Sequence, residues 1–151
     1  MITIYTDGSS LGNPGPGGYG AILRHGQHEK ELSEGFRTTT NNRMELLAVI
    51  VGLESIKKPG WEVLVVSDSK YVVDAVEKGW VKNWVRINFK GKKNRDLWER
   101  YLRAAAPHSV RFKWIKGHNG HPENERCDEM AVDAAHGSNL GVDEGFERSQ
   151  R

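Results

Sequence analysis

The chain has 151 residues, 28% of them charged and 37% hydrophobic, with a net charge of +2 at neutral pH. That length and balance predict one soluble globular domain with a core of ordinary size. No apolar run approaches the ~20 residues of a membrane span, the start MITIYTDGSS lacks the basic and apolar parts of a signal peptide, and a single cysteine excludes an internal disulfide. The expected setting is a reducing cytoplasm, and the default expectation is a monomer with no obligatory protein partner.

The first third reads as strands. Residues 2–7 (ITIYTD) alternate, and 19–24 and 29–36 follow after Gly/Pro-rich or polar turns. A long helical pattern covers 42–57. Residues 61–67 (WEVLVVS) are apolar on both faces, as a central buried strand requires. Helices are predicted over 69–77, about 80–86 and 94–106, then a strand over 110–116. Pro122 near the start and Gly137 past the end bound a last helix over 122–136. Residues 1–137 read as the working domain, and 138–151 lack periodicity and read as a flexible tail. Early strands followed by alternating helices and strands predict an α/β fold with a mixed sheet covered by helices.

Charge is unevenly distributed. Between Lys78 and Arg103 nine basic residues face only Asp96 and Glu99, a surplus of seven, whereas the rest of the chain is net acidic. A local basic block on a nearly neutral chain points to an anionic partner touching one face. A solvated helix would carry the same pattern.

Four carboxylates stand out. Asp7 and Asp68 follow strand patterns, where sites of open α/β sheets collect. A helix turns about 100° per residue, which puts Arg43, Glu54 and Lys57 toward water and Glu45 on the stripe of Ala48, Val49, Gly52 and Ile56. Asp128 lies among Asn124, Ala131, Val132 and Ala135, while Glu125, Glu129 and Asp133 share a solvated face. Each has a structural alternative: a hairpin turn at Asp7-Gly8, a capping box between Asn42 and Glu45, a helix cap at Asp68-Ser69, an ion pair between Asp128 and Arg126. If the four converge, repulsion raises their pKa values unless cations neutralise them. All-oxygen ligands favour Mg²⁺ or Mn²⁺, and such a site fits metal-assisted phosphoryl transfer. His118, His121 and Cys127 look like a second metal set, but His-x-x-His-x5-Cys matches no zinc pattern. Cys127 reads as a small core residue and His121 as structural.

TDGSSLGNPGPGGYGAIL, TTNNRMELLA, VVSDSKYV and IKGHNGHPENERCDEMA occur in that order. Together they closely resemble bacterial type 1 ribonuclease H, from about Ile2 to His136. The resemblance implies a five-stranded mixed sheet flanked by helices, and hydrolysis of the RNA strand of an RNA–DNA hybrid with Mg²⁺, leaving 5′-phosphate and 3′-hydroxyl ends. The family's acidic quartet maps onto Asp7, Glu45, Asp68 and Asp128. By carry-over, Asp7 bridges two ions, Asp128 helps hold one, and Glu45 and Asp68 help hold the other; Mn²⁺ is an expected substitute. His118, between Gly117 and Gly120, matches a loop histidine linked to proton transfer or product release.

The same resemblance places Ser10, Asn13, Asn41 and Asn42 against the RNA strand, where an amide suits a 2′-hydroxyl as donor or acceptor. It places Thr40 and Asn94 around a DNA phosphate. The basic block matches a protrusion lying on the DNA strand, with Trp80, Trp84, Lys82, Arg86, Lys92 and Lys93 as contacts, whereas Trp98 reads as core. One of Trp80 and Trp84 is also expected to pack inward. Three departures appear: a shorter protrusion, Lys70 where a glutamine is expected, and Thr38 where an arginine often supports the phosphate pocket, with Arg37 adjacent. The rival readings are a DNA-directed nuclease of the same fold and a non-catalytic hybrid-binding module.

Overall fold

The computed structural model describes residues Met1 to Arg151. Three consecutive strands, β1 (Ile2–Ser10), β2 (Gly15–His25) and β3 (His28–Thr39), form an antiparallel meander. β4 (Glu62–Ser67) then pairs parallel to β1, and β5 (Ser109–Trp114) parallel to β4, giving the order β3-β2-β1-β4-β5. The sheet is the predicted five-stranded mixed one. Its central strands carry the apolar residues Ile4, Ala21, Ile22, Val63 and Val65, all buried. The outer half of β3, His28 to Glu34, is polar and largely exposed, as an edge strand that avoids further pairing should be.

Helices cover both faces. On one lie α1 (Asn41–Glu54), α2 (Lys70–Glu77), α3 (Trp80–Arg86) and α4 (Arg95–Ala105), whose apolar residues join those of the sheet in the main core. Trp98 of α4 is fully buried in it, and its indole N–H donates to the Tyr71 hydroxyl at 2.8 Å. On the other face α5 (Pro122–Ala135) sets Cys127 and Met130 against Ile22 and Tyr5. Cys127 is therefore core, as expected; its thiol donates to the Tyr5 carbonyl at 3.3 Å, and burial pushes its pKa up.

Two expectations fail here. Residues 138–151, read as a flexible tail without regular structure, carry a sixth helix, α6 (Glu144–Ser149), capped by the Asp143 side chain. Gly141 bonds to the backbone of Gly35 and Arg37 on β3, Phe146 is buried, and Glu147 pairs with Arg37 at 2.7 Å. A six-residue helix is too short to show a period, and its stability comes from docking rather than propensity. Arg43 was expected to face water, yet it is only 3% exposed. The side of α1 opposite the sheet is covered by α4 and by this C-terminal segment, so past the exposed Asn41 and Asn42 the helix is buried nearly all round and leaves no wet face for Arg43.

Candidate active site

The β1/β4 register decides the first contact of the site. Parallel pairing sets Thr6 opposite Ser67, so the next residues, Asp7 and Asp68, lie side by side where β4 ends, with Asp7 still paired to Gly20 of β2. Gly8 then lets α1 come close: a Cβ there would overlap the backbone of Met44 and Glu45. That approach brings Glu45 inward, where its carboxylate accepts from the Gly8 N–H. Thr40 caps α1 by accepting from the Arg43 N–H at 3.3 Å, so a capping box from Asn42 is not formed. Ser69, not Asp68, caps α2. Both carboxylates are thus free of the structural duties that could have explained them.

Carboxylate oxygens of Asp7, Glu45 and Asp68 lie within 4.8 Å of one another. Asp128, on α5, does not join that tight group, but it borders the same open pocket together with His118, Asn41, Asn42, Lys70 and Tyr71. Arg126 pairs with Glu31 and Glu129 rather than with Asp128. None of the four acids takes part in an ion pair. Burial pushes the Asp7 carboxyl up to about 7; the charges of Asp68 and Asp128 add to the rise, while hydrogen bonds with Glu45 and the Gly8 N–H oppose it. Glu45 is raised well above the usual glutamate range by burial, then by its hydrogen bond to Asp7 and the Asp7 charge. Buried carboxylates with no cation of the protein's own form a donor set suited to a hard divalent ion.

His118 sits in the β5–α5 loop at φ 56°, in the left-handed region where histidine is one of the better tolerated non-glycine residues, and it is exposed at the pocket's edge. His121 precedes α5 without capping it through its side chain. Neither histidine joins Cys127 in a cluster.

The four residues expected on an RNA strand form one surface beside the carboxylates. Asn41 Oδ1 accepts from the Ser10 N–H at 2.7 Å and from the Ser10 hydroxyl at 3.2 Å, and the Asn41 N–H donates to Asn13 Oδ1 at 3.2 Å. Asn42 is exposed next to them. Thr40 and Asn94 meet in a separate pocket of about 710 Å³ that also includes Lys92 and Lys93. Lys82, Arg86, Lys92 and Lys93 are exposed on the protrusion built by α3 and the turn after it. Trp80 is 42% exposed, whereas Trp84 turns inward, edge-on to Trp98 at 5.8 Å, with Lys92 over its face. Lys70 stacks on exposed Trp114, whose indole N–H donates to the Asp68 carbonyl at 3.0 Å. Arg37, beside Thr38, is tied to Glu147 and does not line the pocket of Thr40 and Asn94.

Sequence reading did not single out Tyr71, which borders both the carboxylate pocket and Asn94. Nor did it find the partners of Arg43. A buried arginine near a helix start was the available signal, hidden by the assumption of a wet face.

Residues 1–136 match the model of the family described as RNase H. Ribonuclease H of Desulforamulus reducens is 58% identical over 148 residues, spanning 94% of this chain and 92% of that protein. The enzyme of the same name from Nitratidesulfovibrio vulgaris is 53% identical over 150 residues, 96% of each chain. Among solved structures, LC9-RNase H1, described as a type 1 RNase H with the type 2 active-site motif, superposes with a TM-score of 0.80 at 34% identity, over 98% of this chain and 79% of that one. LC11-RNase H1 in complex with an RNA/DNA hybrid superposes at 0.63 with 25% identity, over 90% and 97%. With the same sheet, the same span and more than half its residues in common with such enzymes, this chain belongs to the ribonuclease H family.

Proposed function

We propose that the chain is an endonuclease that hydrolyses the RNA strand of RNA–DNA hybrids, leaving 5′-phosphate and 3′-hydroxyl ends, and that it does so in the cytoplasm as a monomer. The observation that carries this is the convergence of Asp7, Glu45 and Asp68 in an open pocket without a compensating cation, in a chain of this family. No helix is long and apolar enough to cross a membrane.

The donor set fits divalent cations: oxygen-only ligands, close together, two of which, Asp7 and Glu45, have raised pKa values. Asp7, Glu45, Asp68 and Asp128 would hold two Mg²⁺ or Mn²⁺ ions, which supply Lewis acidity and charge neutralisation for phosphodiester hydrolysis. Asp7, central among the four, would be common to both. No side-chain nucleophile is then required. His118, exposed on its loop, would pass a proton at the pocket's rim or ease product release. Ser10, Asn13, Asn41 and Asn42 would align the RNA strand through its 2′-hydroxyls, while Thr40 and Asn94 would grip a DNA phosphate. Trp80, Trp84, Lys82, Arg86, Lys92 and Lys93 would seat the DNA strand along the protrusion, where cations meet phosphates and indoles meet sugars.

The test is cleavage of a hybrid end-labelled on each strand in turn, with Mg²⁺ and with EDTA, beside duplex RNA and duplex DNA. Mg²⁺-dependent cuts confined to the hybrid's RNA strand are expected. Cuts in duplex DNA would favour a DNA-directed nuclease, and binding without cleavage under any divalent ion would favour a hybrid-binding module.

A further inference from the structure

The guanidinium of Arg43 is buried, and all five of its N–H groups are occupied within the protein. Nε donates to Asp143 Oδ2 at 2.8 Å and Nη2 to Asp143 Oδ1 at 2.9 Å. Nη2 and Nη1 donate to the two oxygens of Asp96 at 2.7 and 2.9 Å. The fifth donor, on Nη1, reaches Asn94 Oδ1 at 3.3 Å. Arginine has five donors and no acceptor, so nothing of Arg43 is left for a phosphate, although it borders the basic pocket.

Its effect on Asn94 is directional. A guanidinium accepts no hydrogen bond, so the amide oxygen of Asn94 must face it and the amide nitrogen must face the other way. That nitrogen donates to the Tyr71 hydroxyl at 3.1 Å, which leaves its second N–H without a protein partner, and Asn94 borders the pocket. Asn94 is also held in the left-handed backbone region, φ 64°, at the start of α4. The other partner of Arg43, Asp143, accepts from the Thr39 hydroxyl at 2.7 Å, next to Thr40. Ser149 and Gln150 border the same pocket from the C-terminal helix. Gly145 closes the arrangement, since a Cβ there would collide with the Asp96 carboxylate and press on Arg43.

We propose that Asp143 and Arg43 are positioning residues for the DNA strand: through them the C-terminal segment fixes the amide of Asn94 so that it presents N–H to a backbone phosphate. This rests on the hybrid-cleaving reading, and on Asn94 as a DNA-strand contact within it. The segment after residue 137 is then a working part of the substrate surface.

The test is a double-variant cycle of Asp143→Ala and Asn94→Ala in the full chain. Hybrid affinity is read by fluorescence anisotropy in EDTA, KM and kcat by cleavage in Mg²⁺, and Tm by thermal melting. Each single variant is expected to lower affinity and raise KM about tenfold, the loss of one hydrogen bond to a charged group, with kcat little changed. The double variant is expected to bind no worse than Asn94→Ala alone. A lower Tm with unchanged affinity, or losses that multiply in the double variant, would overturn the proposal. If Asp143→Ala does not fold, Gly145→Ala, which displaces the same network sterically, takes its place in the cycle under the same criteria. Because affinity is measured without cleavage, a wild-type chain that binds but does not cut would refute the enzymatic reading while the cycle still decided the role of Asp143.

Discussion

Two buried charge clusters sit on either side of the N-terminal turn of α1, and they are built in opposite ways. Around Arg43 one cation meets two carboxylates and an amide, with every donor matched. Around Asp7 three carboxylates crowd together with no ion-pair partner, and burial together with that crowding raises the pKa values of Asp7 and Glu45. Charge that is matched internally holds elements in place. Charge that is left unmatched destabilises the empty protein and is retained where a ligand will complete it. The pair therefore separates architecture from chemistry within a few residues of one helix.

The contrast is sharpest at Asp7. Asp7→Asn keeps the size of the side chain and removes one of the crowded charges. Cleavage of a hybrid should fall by roughly four orders of magnitude, about 5 kcal/mol in barrier, with binding retained and the cation-free Tm unchanged or raised. A falling Tm would mean that Asp7 serves the fold instead. Arg43→Met tests the other cluster. It strands the buried Asp143 carboxylate and should cost about 3–5 kcal/mol of stability, read from denaturant unfolding. A loss under 1 kcal/mol would place the weight of that region elsewhere.

A smaller effect concerns charge exposed rather than buried. Lys92→Ala with Lys93→Ala should weaken hybrid binding and reduce the slope of log affinity against log salt by about two, while saturated turnover is little changed. Unchanged binding with slower turnover would remove the protrusion from the binding surface.

The smallest expected effect is on stability against pH. The folded Asp7 carboxyl holds its proton up to about 7, whereas an unfolded one releases it near the ordinary aspartate value of 3.8. Between those values the folded chain binds more protons, so the cation-free protein should lose stability as pH rises through this window. A divalent cation takes the proton's place. Adding Mg²⁺ should thus raise Tm clearly at pH 8 and little at pH 5. Equal Mg²⁺ shifts at both pH values would show that the ion binds away from these carboxylates.

Much of the carboxylate site was legible in the chain because its determinants are local. An alternating strand ends at Asp7 and a continuously apolar one just before Asp68, and helical phase alone turns Glu45 inward. The same phase analysis misplaced Arg43. It assumes that a helix has one wet side, and the covering elements arrive from residues 53 and 100 positions further along. The family resemblance carried over Thr40 and Asn94, but not the arrangement that orients Asn94.

Local patterning thus determined the five strands, the first five helices, the mixed sheet and the inward acids, since periodicity and strand-end position are properties of neighbouring residues. The tertiary structure decided three other things: the β1/β4 register that sets Asp7 beside Asp68, the docking of α6, and the choice of Asp96 and Asp143 as partners of Arg43. Each depends on which distant segments pack together. A six-residue helix and a lone buried arginine carry no periodic signal of their own, and they acquire their structure only from the surfaces they close.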